Sequence, residues 1–366
     1  MSLRQLALLL PASTLLFSAC ATQSAPVMPV ETETPMAALE WSIVVHGGAG
    51  VITRDAMSPE TEAAYEAALA HALDTGSEIL ASGGAAIDAV EAVIMGLEDN
   101  PLFNAGRGAV LTETGEFSLD SSIMAGDTLN AGAVAGLSNI RHPISAARAA
   151  MENSPHVMLA GEGADQFAAE QGLEVVDPTY FFTERRWDSL IRVLERRGVE
   201  APAHPLGAAQ EDELSMLSFP DDRKFGTVGV VAMDQTGTIV AGTSTGGTTA
   251  KRWGRVGDSP VIGAGTYAAN GVCGVSATGT GEYFIRLAIA YAICARIELL
   301  GETASEAADH VIHTQLTGLE GDGGVIVLGP DGTPTWSFNT EGMYRAYATS
   351  EGRREIEIYE YNEGAF

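Results

Sequence analysis

Phe225-Gly226-Thr227-Val228-Gly229-Val230-Val231-Ala232-Met233-Asp234-Gln235-Thr236-Gly237-Thr238-Ile239-Val240-Ala241-Gly242-Thr243-Ser244-Thr245 is the stretch on which the fold of this chain turns. Thr227 to Met233 and Thr238 to Thr245 are β-branched, apolar-rich runs flanking a turn at Asp234 to Gly237, the pattern of a β-hairpin. With Gly237 in the left-handed position of a three-residue loop, Asp234 pairs with Thr238. The ladder then sets Thr227 opposite Thr245.

Upstream of this hairpin, from about 198 to 224, Pro202, Pro205, Pro220 and the acidic Glu211-Asp212-Glu213 sit in a polar stretch without period, which reads as a flexible linker inside the chain. A linker therefore runs straight into a buried-type strand whose first residue carries a hydroxyl. A cut before Thr227 would leave a threonine with a free α-amine, whose pKa near ~8 lets it take the proton from its own hydroxyl at neutral pH. Before any cut, the hydroxyl would have to attack the Gly226 carbonyl, and glycine adopts the contorted peptide this needs at least cost. A Gly-Thr pair at a strand start is commonplace by itself, so its surroundings decide.

Three further motifs supply them. Thr245, in Thr243-Ser244-Thr245-Gly246-Gly247, is placed to hold Thr227 in a productive rotamer. Arg255 and Asp258, in Gly254-Arg255-Val256-Gly257-Asp258-Ser259-Pro260, bring opposite charges to a glycine-rich loop. Arg255 could grip an α-carboxylate with two N–H groups while Asp258 accepts from an α-ammonium. A surface salt bridge is the plainer reading of that pair. Thr278 and the Gly279 amide, in Ala277-Thr278-Gly279-Thr280-Gly281-Glu282, suit an oxyanion hole. A helix cap rich in glycine is the plainer reading there.

The 366 residues are 46% hydrophobic, enough for a substantial core as one large domain or two ordinary ones. Forty-two glycines against fifteen prolines point to close backbone approaches and sharp turns. A formal net charge of -28 excludes nucleic acid and anionic membrane surfaces as partners. Residues 1–19 read as an export signal: Arg4, apolar runs over Leu6–Leu10 and Leu15–Phe17, then Ser18-Ala19 before Cys20. Small residues before a cysteine are similar to a bacterial lipoprotein signal, with Cys20 lipidated, although Phe17 stands where leucine is usual; a soluble secretion signal is the alternative. Residues 20–40 read as a tether. Cys273 and Cys294 either pair or simply pack, because their spacing fits no metal site.

Elsewhere, Ser42 to His46 reads as a buried strand entering a tight turn at Gly47 to Gly50. Helices follow from Pro59, with Tyr65, Ala68, Leu69, Ala72 and Leu73 on one face, and around Ile87, Val90, Ile94 and Leu97. After a loop over 99–108, Ala109–Thr112 and Glu116–Met124 resemble a hairpin about Thr114-Gly115, and Ala131–Leu137 another strand. Pro143 opens a helix to about Met151, His156–Ala160 reads as strand and Glu162–Gly172 as helix. Glu282–Leu300 reads as one amphipathic core helix, too charged for a membrane span. The expected class is a large mixed α+β layer structure.

Together these motifs resemble the plant-type L-asparaginase/isoaspartyl peptidase family of N-terminal-nucleophile hydrolases. His46 to Gly50, Phe103-Asn104-Ala105-Gly106, Leu119-Asp120, Met124-Ala125-Gly126 and Asn339 to Arg345 carry the same likeness, which spans about Trp41 to Arg345. The resemblance implies an αββα sandwich, autocleavage into an α subunit (41–226) and a β subunit (227–366), and a dimer of such pairs. It implies Thr227 as nucleophile, Thr245 as its support, and Asn104 as support from the α subunit. Arg255, Asp258 and Gly281 would bind substrate with Thr278 and Gly279, which also form the oxyanion hole. It implies no cofactor for catalysis. A structural sodium ion would sit on backbone carbonyls of Leu97, Glu98, Asn100, Phe103, Ala105 and Arg107, and carbonyl oxygens suit such a hard cation. Family members often carry an acidic residue just before the Gly-Thr pair, where this chain has Lys224-Phe225, which bears on cleavage efficiency. The implied substrates are isoaspartyl dipeptides or L-asparagine. A glycosylasparaginase of the same fold is the alternative, and a silent amino-acid-binding lipoprotein the alternative from another class.

Overall fold

The computed structural model describes residues 40–207, 217 and 226–360. The export signal, Cys20, the tether up to residue 39 and most of the linker, including Lys224-Phe225, lie outside the described residues. The described part of that linker beyond helix α5, 199–207, carries no helix or strand.

In chain order the elements are β1 (Ser42–Gly50), α1 (Pro59–Ala81), α2 (Ala86–Glu98), β2 (Leu119–Ala125), β3 (Ala131–Leu137), α3 (Pro143–Asn153), β4 (Met158–Ala160), α4 (Glu162–Glu170) and α5 (Glu184–Arg197). After the linker come β5 (Val228–Met233), β6 (Ile239–Thr245), β7 (Thr266–Ala269), β8 (Cys273–Gly279), α6 (Gly281–Leu287), α7 (Ile289–Leu300), α8 (Ala304–Asp309), β9 (Gly323–Leu328), β10 (Pro334–Phe338), β11 (Gly342–Thr349) and β12 (Arg354–Tyr359). This is a mixed α/β structure.

Eight strands form one sheet in the order β12-β11-β1-β5-β6-β2-β3-β4, and four form a second in the order β10-β9-β8-β7. Among the described strand pairs only β3–β4 is parallel. Helices α1, α2 and α3 pack on the large sheet and α7 and α8 on the small one, while β1, β5 and β6 lie against β8 and β9. The sequence explains the fit of α1: Ser58 caps it by accepting from the Thr61 N–H at 3.2 Å, and Pro59 begins it. Its spacing buries Tyr65, Leu69, Ala72, Leu73 and Leu80. Gly76 lets the helix close on the sheet, because a Cβ there would lie 2.3 Å from Ile43 Cδ1.

The β5–β6 hairpin has the expected register. Gly237 is left-handed at φ +80°, and Asp234 N–H donates to the Thr238 carbonyl at 3.1 Å. Val228 pairs with Ser244 and Gly229 with Thr243, so one step further sets Thr227 opposite Thr245. The Asp234 carboxylate also accepts from the Ala86 N–H at 2.9 Å, tying this turn to the start of α2.

Three expectations need correction. Gly47 to Gly50 do not turn: they continue β1, with a bulge between His46 and Gly48. Their glycines serve close approach, since a Cβ on Gly47 would lie 2.4 Å from Phe103 Cε1 and one on Gly48 2.6 Å from Gly226 Cα. Ala109–Thr112 is not a hairpin arm; the turn at Thr114-Gly115 closes through Gly115 N–H to the Thr112 carbonyl at 3.0 Å, but β2 pairs with β3 and β6. The single helix expected over 282–300 breaks at Ala288, which is left-handed at φ +48°. There the Ala290 and Tyr291 N–H groups donate instead to the Ala264 and Gly263 carbonyls, at 3.2 and 2.9 Å. Among the described residues no helix is long and apolar enough to cross a membrane.

Alternation along the strands lays three rows of side chains between the sheets. Val44, Val231, Ala241 and Met124 are mutual cross-strand neighbours and join Ile326 and Leu328 in an apolar cluster. Two residues along each strand, His46, Gly229, Thr243 and Ser122 form a second row. Two further along stand Thr227, Thr245 and Asp120, with Thr245 and Asp120 directly paired. Cys273 and Cys294 form a disulfide across a Cα–Cα distance of 5.6 Å, joining β8 to α7.

Candidate active site

The third row holds the candidate site. Thr227 Oγ1 lies 2.9 Å from Thr245 Oγ1, which also accepts from the Gly247 N–H at 3.0 Å. Thr245 is thus fixed on one side by the backbone and offers its hydroxyl to Thr227 on the other. Gly226 adopts φ +148°, in the left-handed range that favours glycine, and a Cβ on it would lie 2.7 Å from Asn104 Cβ. Its carbonyl accepts from the Asn104 N–H at 2.9 Å.

Asn104 is buried and fully used. Its Oδ1 accepts from the Val110 N–H at 2.9 Å, its Nδ2 donates to the Gly247 carbonyl at 2.8 Å, and its own carbonyl accepts from the Gly246 N–H at 2.9 Å. One residue from the loop after α2 therefore fastens both the Gly226-Thr227 peptide and the turn after Thr245.

Arg255, Asp258 and Gly281 converge as the sequence suggests. A Cβ on Gly281 would lie 2.8 Å from Asp258 Oδ1 and 3.0 Å from Arg255 Nη2, so the missing side chain leaves room for both charged heads beside it. Asp258 is buried with Oδ2 lacking a hydrogen-bond partner among the described residues, and burial, opposed by hydrogen bonding to its own backbone and by Arg255, pushes its carboxyl up to about 7. Arg255 holds Glu282 through Nε and Nη2, at 3.0 Å each; burial lowers its pKa, but these hydrogen bonds together with the charges of Glu282, Asp258 and Asp120 leave it raised. That role of Glu282 was not readable from its place in the motif.

Thr278 is fully buried, and its hydroxyl has no hydrogen-bond partner among the described residues. Gly279, at φ +159°, is pinned where a Cβ would lie 2.5 Å from both the Asp322 carbonyl and Phe284. Helix α6 spans only Gly281–Leu287, so any oxyanion role rests on the Thr278 hydroxyl and Gly279 amide rather than on a long helix dipole.

The loop from Leu97 to Arg107 curls on itself. The Glu98 carbonyl accepts from the Arg107 N–H at 2.7 Å and the Asn100 carbonyl from the Phe103 N–H at 3.2 Å. Gly106 and Gly108 have positive φ, and Cβ atoms there would lie 2.4 Å from the Glu98 carbonyl and 2.8 Å from that of Phe103. The Glu98 side chain turns away, accepting from Ser244 Oγ at 2.6 Å, and its burial raises its pKa.

Two neighbours escape sequence reasoning. Lys251 is buried, with Nζ donating to the Ser118 carbonyl at 2.5 Å and lying 3.9 Å from Asp120 Oδ2. Burial lowers the pKa of Lys251 and raises that of Asp120, each partly opposed by the other's charge. The second is His46, whose burial pushes the imidazole down to about 3, partly opposed by hydrogen bonding to the Thr227 backbone. Neither stands out from a lone Lys or from a His ending an apolar run.

The chain belongs to the asparaginase family, which matches residues 39–358. It is 47% identical over 319 residues to the isoaspartyl peptidase of Salmonella typhimurium, covering 87% of this chain and 98% of that protein. It is also 42% identical over 319 residues to the plant-type L-asparaginase of Pyrococcus furiosus, covering 86% and 98% of the two chains. The isoaspartyl peptidase/L-asparaginase of Xenopus laevis is 38% identical over 320 residues, covering 87% and 94%.

Proposed function

We propose that this chain is an autocleaving threonine amidohydrolase that releases L-aspartate from isoaspartyl dipeptides and from L-asparagine. The observation that carries the reading is the Thr227 hydroxyl, 2.9 Å from Thr245 and directly after a Gly226 carbonyl held by Asn104. In the first reaction Thr227 Oγ1 attacks the Gly226 carbonyl carbon, and the Asn104 N–H stabilises the oxygen as it becomes negative. The Gly226–Thr227 C–N bond breaks as the ester to Thr227 Oγ1 forms, the hydroxyl proton passing to the freed Thr227 amine, and water then hydrolyses the ester to the Gly226 carboxylate and the Thr227 hydroxyl. Residues 41–226 then form an α subunit and 227–366 a β subunit of one N-terminal-nucleophile domain with an αββα four-layer sandwich.

In the second reaction the Thr227 amine takes the proton of its own hydroxyl, and Oγ1 attacks the side-chain carbonyl of the aspartyl residue. Arg255 binds the substrate α-carboxylate and Asp258 its α-ammonium, in the space that Gly281 leaves. The Thr278 hydroxyl and Gly279 amide hold the oxyanion. The amine leaves with a proton, and water then hydrolyses the aspartyl ester. The names of the relatives favour this reading over a glycosylasparaginase.

We further propose a structural sodium ion on the carbonyls of Leu97, Glu98, Asn100, Phe103, Ala105 and Arg107. The curl of that loop around Gly106 and Gly108 supports it, because it draws carbonyl oxygens together. The mature protein is proposed to be a dimer of αβ pairs, exported to the periplasm and anchored to the outer membrane by lipid on Cys20. Labelled fatty acid entering the wild type but not Cys20→Ala tests the anchor.

The function is tested by expressing the mature chain and sequencing the N-terminus of the smaller band on a denaturing gel. Two fragments are expected, the smaller beginning at Thr227. Hydrolysis of β-aspartyl dipeptides, L-asparagine and glycosylated asparagine is then compared. An uncut, active chain refutes the mechanism, and preference for the glycosylated compound refutes the substrate.

A further inference from the structure

One step down the strands from Thr227, the second row is bridged to the small sheet by a continuous chain of hydrogen bonds. His46 Nε2 lies 3.0 Å from Ser276 Oγ, Ser276 Oγ 2.6 Å from Thr243 Oγ1, and Thr243 Oγ1 2.6 Å from Thr266 Oγ1. Ser122 Oγ then lies 2.8 Å from Thr266 Oγ1 and 2.6 Å from the Ser259 carbonyl, and all five side chains are buried. The mechanism above uses none of them.

A carbonyl only accepts, so Ser122 donates to the Ser259 carbonyl, and its hydroxyl also faces Thr266 Oγ1. Thr243 Oγ1 faces both Thr266 and Ser276 and reaches the Gly265 carbonyl at 3.2 Å.

The two ends of the chain meet the two halves of the site. At one end His46 pairs with Gly229, two residues along the strand from Thr227, and a Cβ on Gly229 would be 2.3 Å from its Nε2. At the other end the acceptor is the carbonyl of Ser259, the residue after Asp258. Directional bonds fix spacing in a way that apolar packing in the neighbouring row does not.

We infer that this hydrogen-bonded chain from His46 to Ser259 sets the distance between the nucleophile Thr227 and the substrate-binding Asp258, making His46, Ser276, Thr243, Thr266 and Ser122 positioning residues. The inference rests on the function proposed above. It assigns different kinetic consequences to the two ends. Loosening the His46 end misplaces the nucleophile and lowers kcat, whereas loosening the Ser259 end misplaces Asp258 and raises KM.

The test uses the autocleaved enzyme and a β-aspartyl dipeptide. Thr243→Val is expected to lower kcat roughly tenfold or more with KM within about threefold, since small misplacements of a nucleophile are costly. Thr243→Ser, which restores the hydroxyl, recovers most of the loss. Ser122→Ala raises KM severalfold with kcat nearly unchanged. If Thr243→Val fails to fold or to cut itself, Ser276→Ala replaces it with the same expected kcat loss. Val231→Ala, in the apolar row, serves as a destabilised control that keeps kcat. The inference is overturned if Thr243→Ser is no better than Thr243→Val, if Ser122→Ala leaves KM unmoved, or if kcat falls only in proportion to thermal stability as in the control. A wild type that neither cuts itself nor hydrolyses the dipeptide overturns the proposed function together with this inference. An active wild type matched by Thr243→Val overturns this inference alone.

Discussion

Val44, Val231, Ala241 and Met124 cross the same strands as Thr227, Thr245 and Asp120, four residues away along each. Backbone geometry and register are shared, and only the side chains change, from a sealed apolar cluster to hydroxyls and charge. In this sheet the two-residue alternation that buries a core also aims a reactive row, so stability and chemistry are separable by position along one strand. Substitutions at the two ends should therefore differ in kind, and four measurements test how far that holds.

The largest effect is expected at the reactive end. Thr227→Ala should run as one uncut chain on a denaturing gel and lose aspartyl amide hydrolysis by ~10⁴-fold or more, as removal of a nucleophile does. A cut or active Thr227→Ala would break the comparison outright. Next is the junction of the rows. Gly229→Ala places a Cβ 2.0 Å from Ser276 Oγ and 2.3 Å from His46 Nε2, with no flexible chain end to give way. Overpacking of this kind costs about 3 kcal/mol or more, read as a Tm lowered by ~6 °C or more in calorimetry.

At the apolar end Val231→Ala should cost about 2 kcal/mol and lower Tm by ~4–8 °C while leaving kcat within about twofold. Equal loss of kcat there would show the two ends to be coupled. The smallest effect is in pH. Asp258 must be ionised to accept from an α-ammonium, and burial raises its carboxyl to about 7. KM in the free enzyme should therefore fall severalfold as pH rises from about 6 to 8, because the ionised fraction grows from roughly a tenth to nine tenths. The raised folded pKa has the opposite sign for stability: its contribution is present at low pH and is lost as pH climbs through the window from the ordinary carboxylate range to about 7. A KM flat over this range would remove Asp258 from substrate binding.

Much of the reactive end was legible before any coordinates. The loop chemistry of Asp234 and Gly237 fixes the register that brings Thr227 to Thr245, and helix spacing gives α1 and α2. Glycine was the least legible residue. Gly47 to Gly50 read as a turn because their use, admitting Phe103 and the Gly226 backbone, depends on chain far away in sequence. Ala288 hides the break between α6 and α7 for the same reason, since loop carbonyls at Gly263 and Ala264 take over the N–H groups. The second row stayed invisible because Ser122, Thr243, Thr266 and Ser276 look like ordinary strand residues. Helices α5 and α8 and strands β7 to β12 likewise went unread. Cys273 and Cys294, ambiguous by spacing, are joined by the fold.

The order of the large sheet carries a last consequence for a chain severed ahead of Thr227. Counting across it, β12 and β11 come from after the break, β1 from before it, β5 and β6 from after, and β2, β3 and β4 from before. The two polypeptides would be woven through one another at three seams: β11 with β1, β1 with β5, and β6 with β2. Neither piece holds a contiguous block of the weave, so covalent continuity at the break is dispensable to their remaining together. The pair would travel as one particle until the sheet itself came apart.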